Sequence, residues 1–254
     1  MKASSTGDKA KKIISALISA VFWTALWGLV SLRVGKEVLL PSPLVTLRHL
    51  VTLASTEAFW RAAGMSLLRV ALGFAAGAVT GTLLAVMTSF SRMLDSLFSP
   101  VGTVIRATPV ASFIILALKA SNVPSFISFL MVTPIVWGAL KAAIENTDKN
   151  LLEAAKAYRL GFRKSVKMVY LPSVAPQYAA ALITSLGLAW KSGIAAEVLC
   201  HPKVSVGNML YESKIYLETA DLFAWTATVI ILSVIMEKCF RVLLKRLTGE
   251  RSGG

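Results

Sequence analysis

The sequence has little acid, little charge and almost no cysteine. Asp and Glu number 13 in 254 residues, and charged residues of both signs make up 16%, against about 25% in an average soluble protein. With 56% hydrophobic residues and a mean hydropathy of +0.68, that shortage excludes a soluble monomer. The two cysteines, Cys200 and Cys239, sit in different apolar segments, so neither a disulfide framework nor a thiolate metal centre is available. The two histidines, His49 and His201, have no patterned serine or aspartate partner, and no Ser/His/Asp hydrolase set emerges. A phosphate-binding loop is missing too. Such a loop needs Gly, four residues, then Gly-Lys-Ser/Thr, so that backbone amides wrap the phosphates. Around Lys191-Ser192, the nearest match, Ser185 and Trp190 fill both glycine positions, and the chain binds no ATP by that route.

What the chain has in excess is apolar length and positive charge. A bilayer crossing takes about 20 mostly apolar residues, at about 1.5 Å of rise each across roughly 30 Å of hydrocarbon. Six stretches qualify: Ile13 to Leu32, Met65 to Met87, Val101 to Leu118, Val123 to Ile144, Val174 to Leu199 and Ala220 to Met236. They are continuous runs rather than ten-residue alternations, so a β-barrel is excluded. The first run is too long for a signal peptide and is read as a retained helix. Lys and Arg number 27 and the net charge is +14. In a soluble protein that balance points to nucleic acid; in an apolar chain it is an orientation signal, and no nucleic-acid partner is expected.

Six crossings put both termini on one side. With the termini inside, seventeen basic residues fall in the inner segments against eight in or beside the outer ones, so the positive-inside rule places the termini in the cytoplasm. The expected fold is an all-α membrane protein with six transmembrane helices. Residues 1–12 form a cytoplasmic tail, 13–242 the membrane domain, and 243–254 a second cytoplasmic tail.

The loop over 146–171 is the least membrane-like part. On a helical wheel Leu151, Ala155, Tyr158, Phe162, Val166 and Val169 share one side, while Lys156, Arg159, Arg163 and Lys167 share another. Such a surface suits either an interfacial helix whose cations meet anionic lipid or a protein-docking segment. Asp148 or Asn146 is placed to cap its start and Gly161 to interrupt it, giving two short helices.

Glu153-Ala154-Ala155, followed by a glycine and then by Leu171-Pro172, resembles the EAA signature of the membrane-spanning permease subunits of bacterial ABC importers. The loop lies between the fourth and fifth helices, where this permease type carries it. The family glycine usually comes six residues after the Glu; Arg159 stands there, and Gly161 comes two residues later. Leu39-Leu40-Pro41-Ser42-Pro43, Ser66-Leu67-Leu68-Arg69-Val70 with Gly73-Phe74, Arg106-Ala107-Thr108-Pro109, and Trp190 with Ala195-Ala196-Glu197 resemble elements of the nitrate, sulfonate and taurine permeases. The resemblance runs from about Leu39 to Arg241. It implies a type I importer permease in the bacterial inner membrane, not itself an enzyme. Its partners would be a second permease copy, a dimer of ATP-binding cassette ATPases and an extracytoplasmic binding protein that delivers a small anionic solute. Glu153, Ala154, Ala155, Tyr158, Arg159 and Gly161 would then form the segment that couples to the ATPase. ATP and Mg would belong to that partner, with no cofactor in this chain.

Charges inside the spans carry the remaining chemistry. Each costs about 2.5–3.5 kcal/mol near the bilayer centre and needs a partner or a wet cavity. Arg106 and Lys191 lie deepest in apolar sequence, while Arg69 and Glu197 lie nearer the outer surface and can snorkel. Two readings stay open for Arg106 and Lys191. Either they are packing partners of Glu197, or they line a pathway for a small anion, with Trp190 as an aromatic wall. Gly73, Gly77 and Gly81 share one helix face and admit close approach of another helix. Leu44, Leu47, Val51 and Ala54 predict a short amphipathic helix at the outer surface, and the loop from His201 to Glu218 is the other outer surface where a binding protein would dock. The alternative function is a secondary transporter or channel that works without an ATPase, for which inverted repeats would speak; the two halves show no convincing self-similarity.

Overall fold

The structure is a computed structural model that describes residues 4–118 and 122–248. Among the described residues every regular element is helical. The chain divides into two compact units, Met1–Trp60 with Met209–Thr228, and Arg61–Asn208 with Val229–Gly254.

The first unit holds α1 (Ser4–Val34), α2 (Pro43–Ala54) and the start of α11 (Thr219–Thr248). Of the expected tails, residues 1–3 and 249–254 lie outside the described residues; the rest is helical, since α1 already runs from Ser4 and α11 continues to Thr248. Helix α2 starts where its sequence permits. Ser42 caps it by accepting from the Val45 amide at 3.3 Å, and Pro43 fills the first turn, where a missing N–H costs nothing. The expected apolar stripe is present but uncovered: Leu44, Leu47 and Val51 are exposed, whereas Thr46 is buried. The Trp27 indole donates to the Pro41 carbonyl at 3.1 Å and stacks on Phe223. His49 Nδ1 lies 2.6 Å from Asp221 Oδ1.

The second unit contains most of α3 (Glu57–Phe90), then α4 (Arg92–Ala107), α5 (Val110–Ala117), α6 (Val123–Glu145), α7 (Lys149–Ala157), α8 (Phe162–Ser165), α9 (Leu171–Cys200) and the first residues of α10 (Val206–Ile215). Its core lies between α6 and α9, where Ile127, Val132, Val136, Ala189 and Ala196 are fully buried and Ser128 Oγ donates to the Ala189 carbonyl at 3.1 Å. The glycine stripe of α3 serves packing. A Cβ at Gly73, Gly77 or Gly81 would come within 2.2, 2.8 or 2.7 Å of the Ser125, Phe129 or Thr133 carbonyl of α6, distances no side chain tolerates.

Among the described residues Leu17–Val34, Glu57–Phe90, Val123–Glu145 and Phe162–Cys200 are each long and apolar enough to cross a membrane, with the bent pair of α4 and α5 a fifth if it counts as one span; the sixth expected run lies within α11, which is not among them. The third expected span, Val101 to Leu118, is not one helix. Helices α4 and α5 meet at 99°, because the residue before a proline is pushed out of the helical region and the proline itself offers no N–H. Thr108 accordingly sits at φ −83°, ψ 131° ahead of Pro109. A second proline reshapes the fifth span. Its helix is continuous over 39 residues but widens into a π turn at Val166–Tyr170, just where the ring of Pro172 would strike the carbonyl four residues back.

Candidate functional site

Three places gather the residues the sequence singles out. The first is the loop between α6 and α9. Asp148 caps α7, its carboxylate accepting from the Asn150 amide at 2.8 Å. Glu153 and Ala154 are exposed on this nine-residue helix, as is Tyr158 at its C-cap, and Ala155 is buried beneath it. The helix ends in a left-handed turn made by Arg159, at φ +50°. The Leu160 amide donates to the Ala155 carbonyl and the Arg159 amide to the Lys156 carbonyl, each at 2.9 Å, the two bonds of a Schellman cap. Gly161 takes no part in that reversal. Its φ is −64° and it stands at the start of α8, so Arg159 holds the glycine-type conformation at the glycine position. The expected interruption is real but lies two residues earlier. Because the chain turns there, the continuous wheel dissolves: Leu151, Tyr158 and Phe162 are exposed, while Val169 is buried.

The second place is a polar node buried where α3, α9 and α10 meet. Glu197 has no solvent exposure. Its Oε2 accepts from Ser66 Oγ at 2.6 Å and from the Gly207 amide at 3.2 Å, and its Oε1 accepts from Arg69 Nη1 at 3.2 Å. Arg69 also donates to the Val204 carbonyl at 2.8 Å, and Ser66 Oγ accepts from the Val206 amide at 2.9 Å. Ser66 and Arg69 sit three apart on α3 and so share a face, and the carboxylate lies at the N-terminus of α10, where backbone amides favour negative charge. A Cβ on Gly207 would fall 2.3 Å from that of Glu197, so the close approach of the backbone at 207 to α9 requires glycine.

This node corrects the expected pairing. Glu197 is partnered by Arg69, not by Lys191 or Arg106. Lys191 is six residues from Glu197 on one helix, about 240° around it, and is exposed. Trp190 is fully buried, its indole donating to the Val229 carbonyl at 3.1 Å. Lys191-Ser192 lies inside a regular stretch of α9, with no loop around it.

The third place is the face between α4 and α6, which the sequence reading missed except for Arg106. Lys141 Nζ lies 2.5 Å from Asp95 Oδ1 and 3.6 Å from Glu145 Oε1. Gly102 lets the Trp137 ring approach, since a Cβ there would be 2.6 Å from it, and Arg106 Nη1 lies over Gly138. The signal for the ion pair was the single acid, Asp95, standing in the first turn of α4. Among the described residues no three His, Cys, Asp or Glu side chains gather as a metal site.

Comparison with known proteins places these features in context. Residues 77–248 match the family described as binding-protein-dependent transport system inner membrane component. The taurine transport system permease protein TauC of Escherichia coli K12 is 23% identical over 239 residues, covering 90% of this chain and 86% of TauC. The putative aliphatic sulfonates transport permease protein SsuC of Bacillus subtilis 168 is 23% identical over 245 residues, covering 94% of this chain and 87% of SsuC. Among solved structures, a bacterial ABC transporter involved in import of the acidic polysaccharide alginate superposes with a TM-score of 0.63 at 17% identity, over 95% of this chain and 97% of that one.

Proposed function

Since the chain belongs to the family of binding-protein-dependent transport system inner membrane components, a multi-pass family of the inner membrane, we propose that it is the membrane-spanning subunit of an ATP-driven importer for a small anion. Two copies pair with two ATPase subunits, which hold ATP and Mg, and an extracytoplasmic binding protein delivers the solute. The membrane crossings are then α1, α3, the broken pair α4–α5, α6, the helix through α9, and α11, with both termini in the cytoplasm.

The observation that carries this reading is α7. It is a short, capped helix that presents Glu153 and Tyr158 to solvent and stands on the continuous helix of the fifth crossing. A partner gripping α7 therefore pulls directly on a membrane helix. The anionic character of the solute is supported by the sulfonate group common to the substrates named for both relatives. Arg106 and Lys191, cations in apolar helices, also support it.

The test is Glu153→Arg in the reconstituted complex. The residue is exposed, so membrane expression survives, while ATPase capture or the coupling of hydrolysis to transport is lost. Normal substrate-stimulated hydrolysis by this variant rejects the role of α7.

A further inference from the structure

One cation between α4 and α6 is left without a counter-charge. Asp95, Ser99, Gly102 and Arg106 recur along one face of α4. With Trp137, Gly138 and Lys141 of α6 they bound a cavity of about 200 Å³. At one end Lys141 is held between two carboxylates, Asp95 at 2.5 Å and Glu145 at 3.6 Å, so no positive charge is left over there. At the other end one remains. Helical side chains point back toward their own N-terminus, so Arg106 reaches along the cavity, and its Nη1 lies 3.3 Å from the position a Gly138 Cβ would take. Among the described residues no carboxylate lies within ion-pair distance of it. The Trp137 indole is committed elsewhere, donating to Thr88 Oγ1 at 2.9 Å, and so forms a wall. Ser99 adds a hydroxyl to the lining.

We propose that this cavity is an oxyanion subsite of the permease, in which the Arg106 guanidinium holds a small solute with one oxyanion group by two oxygens borne on one atom. The proposal rests on the anion-importer reading above. Charge selects the class first, because both nearby carboxylates are engaged on Lys141 and the Arg106 guanidinium faces the cavity with none of its own. Size fits the class. Water occupies about 30 Å³ in the liquid, so this volume takes about seven non-hydrogen atoms, room enough for nitrate or a two-carbon sulfonate. Geometry agrees, since the planar guanidinium fork fits two oxygens on one centre. The adjoining backbone points the same way: the helix breaks at Thr108-Pro109, and broken helix at membrane depth is tolerated only against protein or beside a wet cavity.

The experiment uses the full complex of this chain with its ATPase and binding protein in proteoliposomes, with radiolabelled taurine, ethanesulfonate and nitrate as probes. The wild type takes up at least one of them in an ATP-dependent way. With that probe, Arg106→Gln raises the half-saturating concentration or lowers uptake by tenfold or more, Arg106→Lys recovers at least a third of the loss, and both variants copurify the ATPase. Gly138→Val, which fills the cavity with Arg106 intact, reduces uptake of the sulfonates more than that of nitrate. Wild-type uptake by both Arg106→Gln and Gly138→Val overturns the subsite and leaves the importer reading standing. If Arg106→Gln fails to assemble, wild-type uptake by Gly138→Val alone overturns it. ATP-driven uptake by the wild type of a solute that bears no oxyanion group, with none of the three probes carried, overturns the anion reading and the subsite with it.

Discussion

Removing the Glu197 carboxylate tests the buried node most directly. In Glu197→Ala the Arg69 guanidinium, whose side chain is 16% exposed, loses its counter-charge. The Gly207 amide and the Ser66 hydroxyl lose their acceptor. Breaking a buried pair by deleting one partner costs about 3–5 kcal/mol. Arg69 keeps the Val204 carbonyl and some contact with water, so the lower end, about 3 kcal/mol, applies. For a chain of this length each kcal/mol lowers the melting temperature by about 2–4 °C, which makes the expected drop on the order of 10 °C. Glu197→Gln keeps the volume and one acceptor oxygen, which can stay on Ser66 and Gly207, but gives up the charge and turns an amide N–H2 toward Arg69. Its cost is about 1–2 kcal/mol. Thermal unfolding of the purified protein in lipid nanodiscs, followed by tryptophan fluorescence, reads both values. The combination Arg69→Met with Glu197→Gln should cost less than the sum of its parts, since both act on one contact. The reasoning is refuted if Glu197→Ala melts within about 2 °C of the wild type, or if the alanine and glutamine variants are equally harmful.

Arg159→Gly should stabilise the α7 turn by about 1 kcal/mol, the cost of a left-handed conformation for a residue with a Cβ, whereas Gly161→Ala should be neutral because a Cβ there meets nothing within 4 Å; melting temperatures check both. Gly73→Leu drives a side chain into the Ser125 carbonyl and should abolish the monodisperse peak in size-exclusion chromatography, while Gly64→Leu, which faces open space, should not. In a background without Cys200 and Cys239, Lys164→Cys should react with an impermeant thiol reagent only from the cytoplasm; labelling from outside intact cells would reverse the proposed orientation.

Helix type and length were legible where apolar runs are long and unbroken, as in Val123 to Ile144, because period and length suffice there. The break at Thr108-Pro109 was written in the sequence as a proline, but hydropathy averages across it. The spacing of Gly73, Gly77 and Gly81 also announced close packing correctly. Pairings between helices are another matter. Glu197 and Arg69 are 128 residues apart, and nothing local tells Glu197 to prefer Arg69 over the nearer Lys191. The face it occupies on α9 decides the matter, and only packing fixes that face. Arg159 was hard to read for the opposite reason: its type argues against a left-handed turn, and the capping bonds around it override the preference.

The π turn at Val166–Tyr170 sets the phase of everything before it. A turn widened by one residue behaves as an insertion in an α-helix and rotates the preceding segment by about 100° about the axis. The direction in which α7 leaves the fifth crossing thus depends on a single surplus residue as well as on the turn at Arg159 and the seat of Ala155. Deleting one residue there, and relieving Pro172 by substitution so that an ordinary helix can form, would swing Glu153 to a different azimuth while leaving every side chain of the docking surface in place. Aim and chemistry are therefore separate properties of this loop, open to change one at a time.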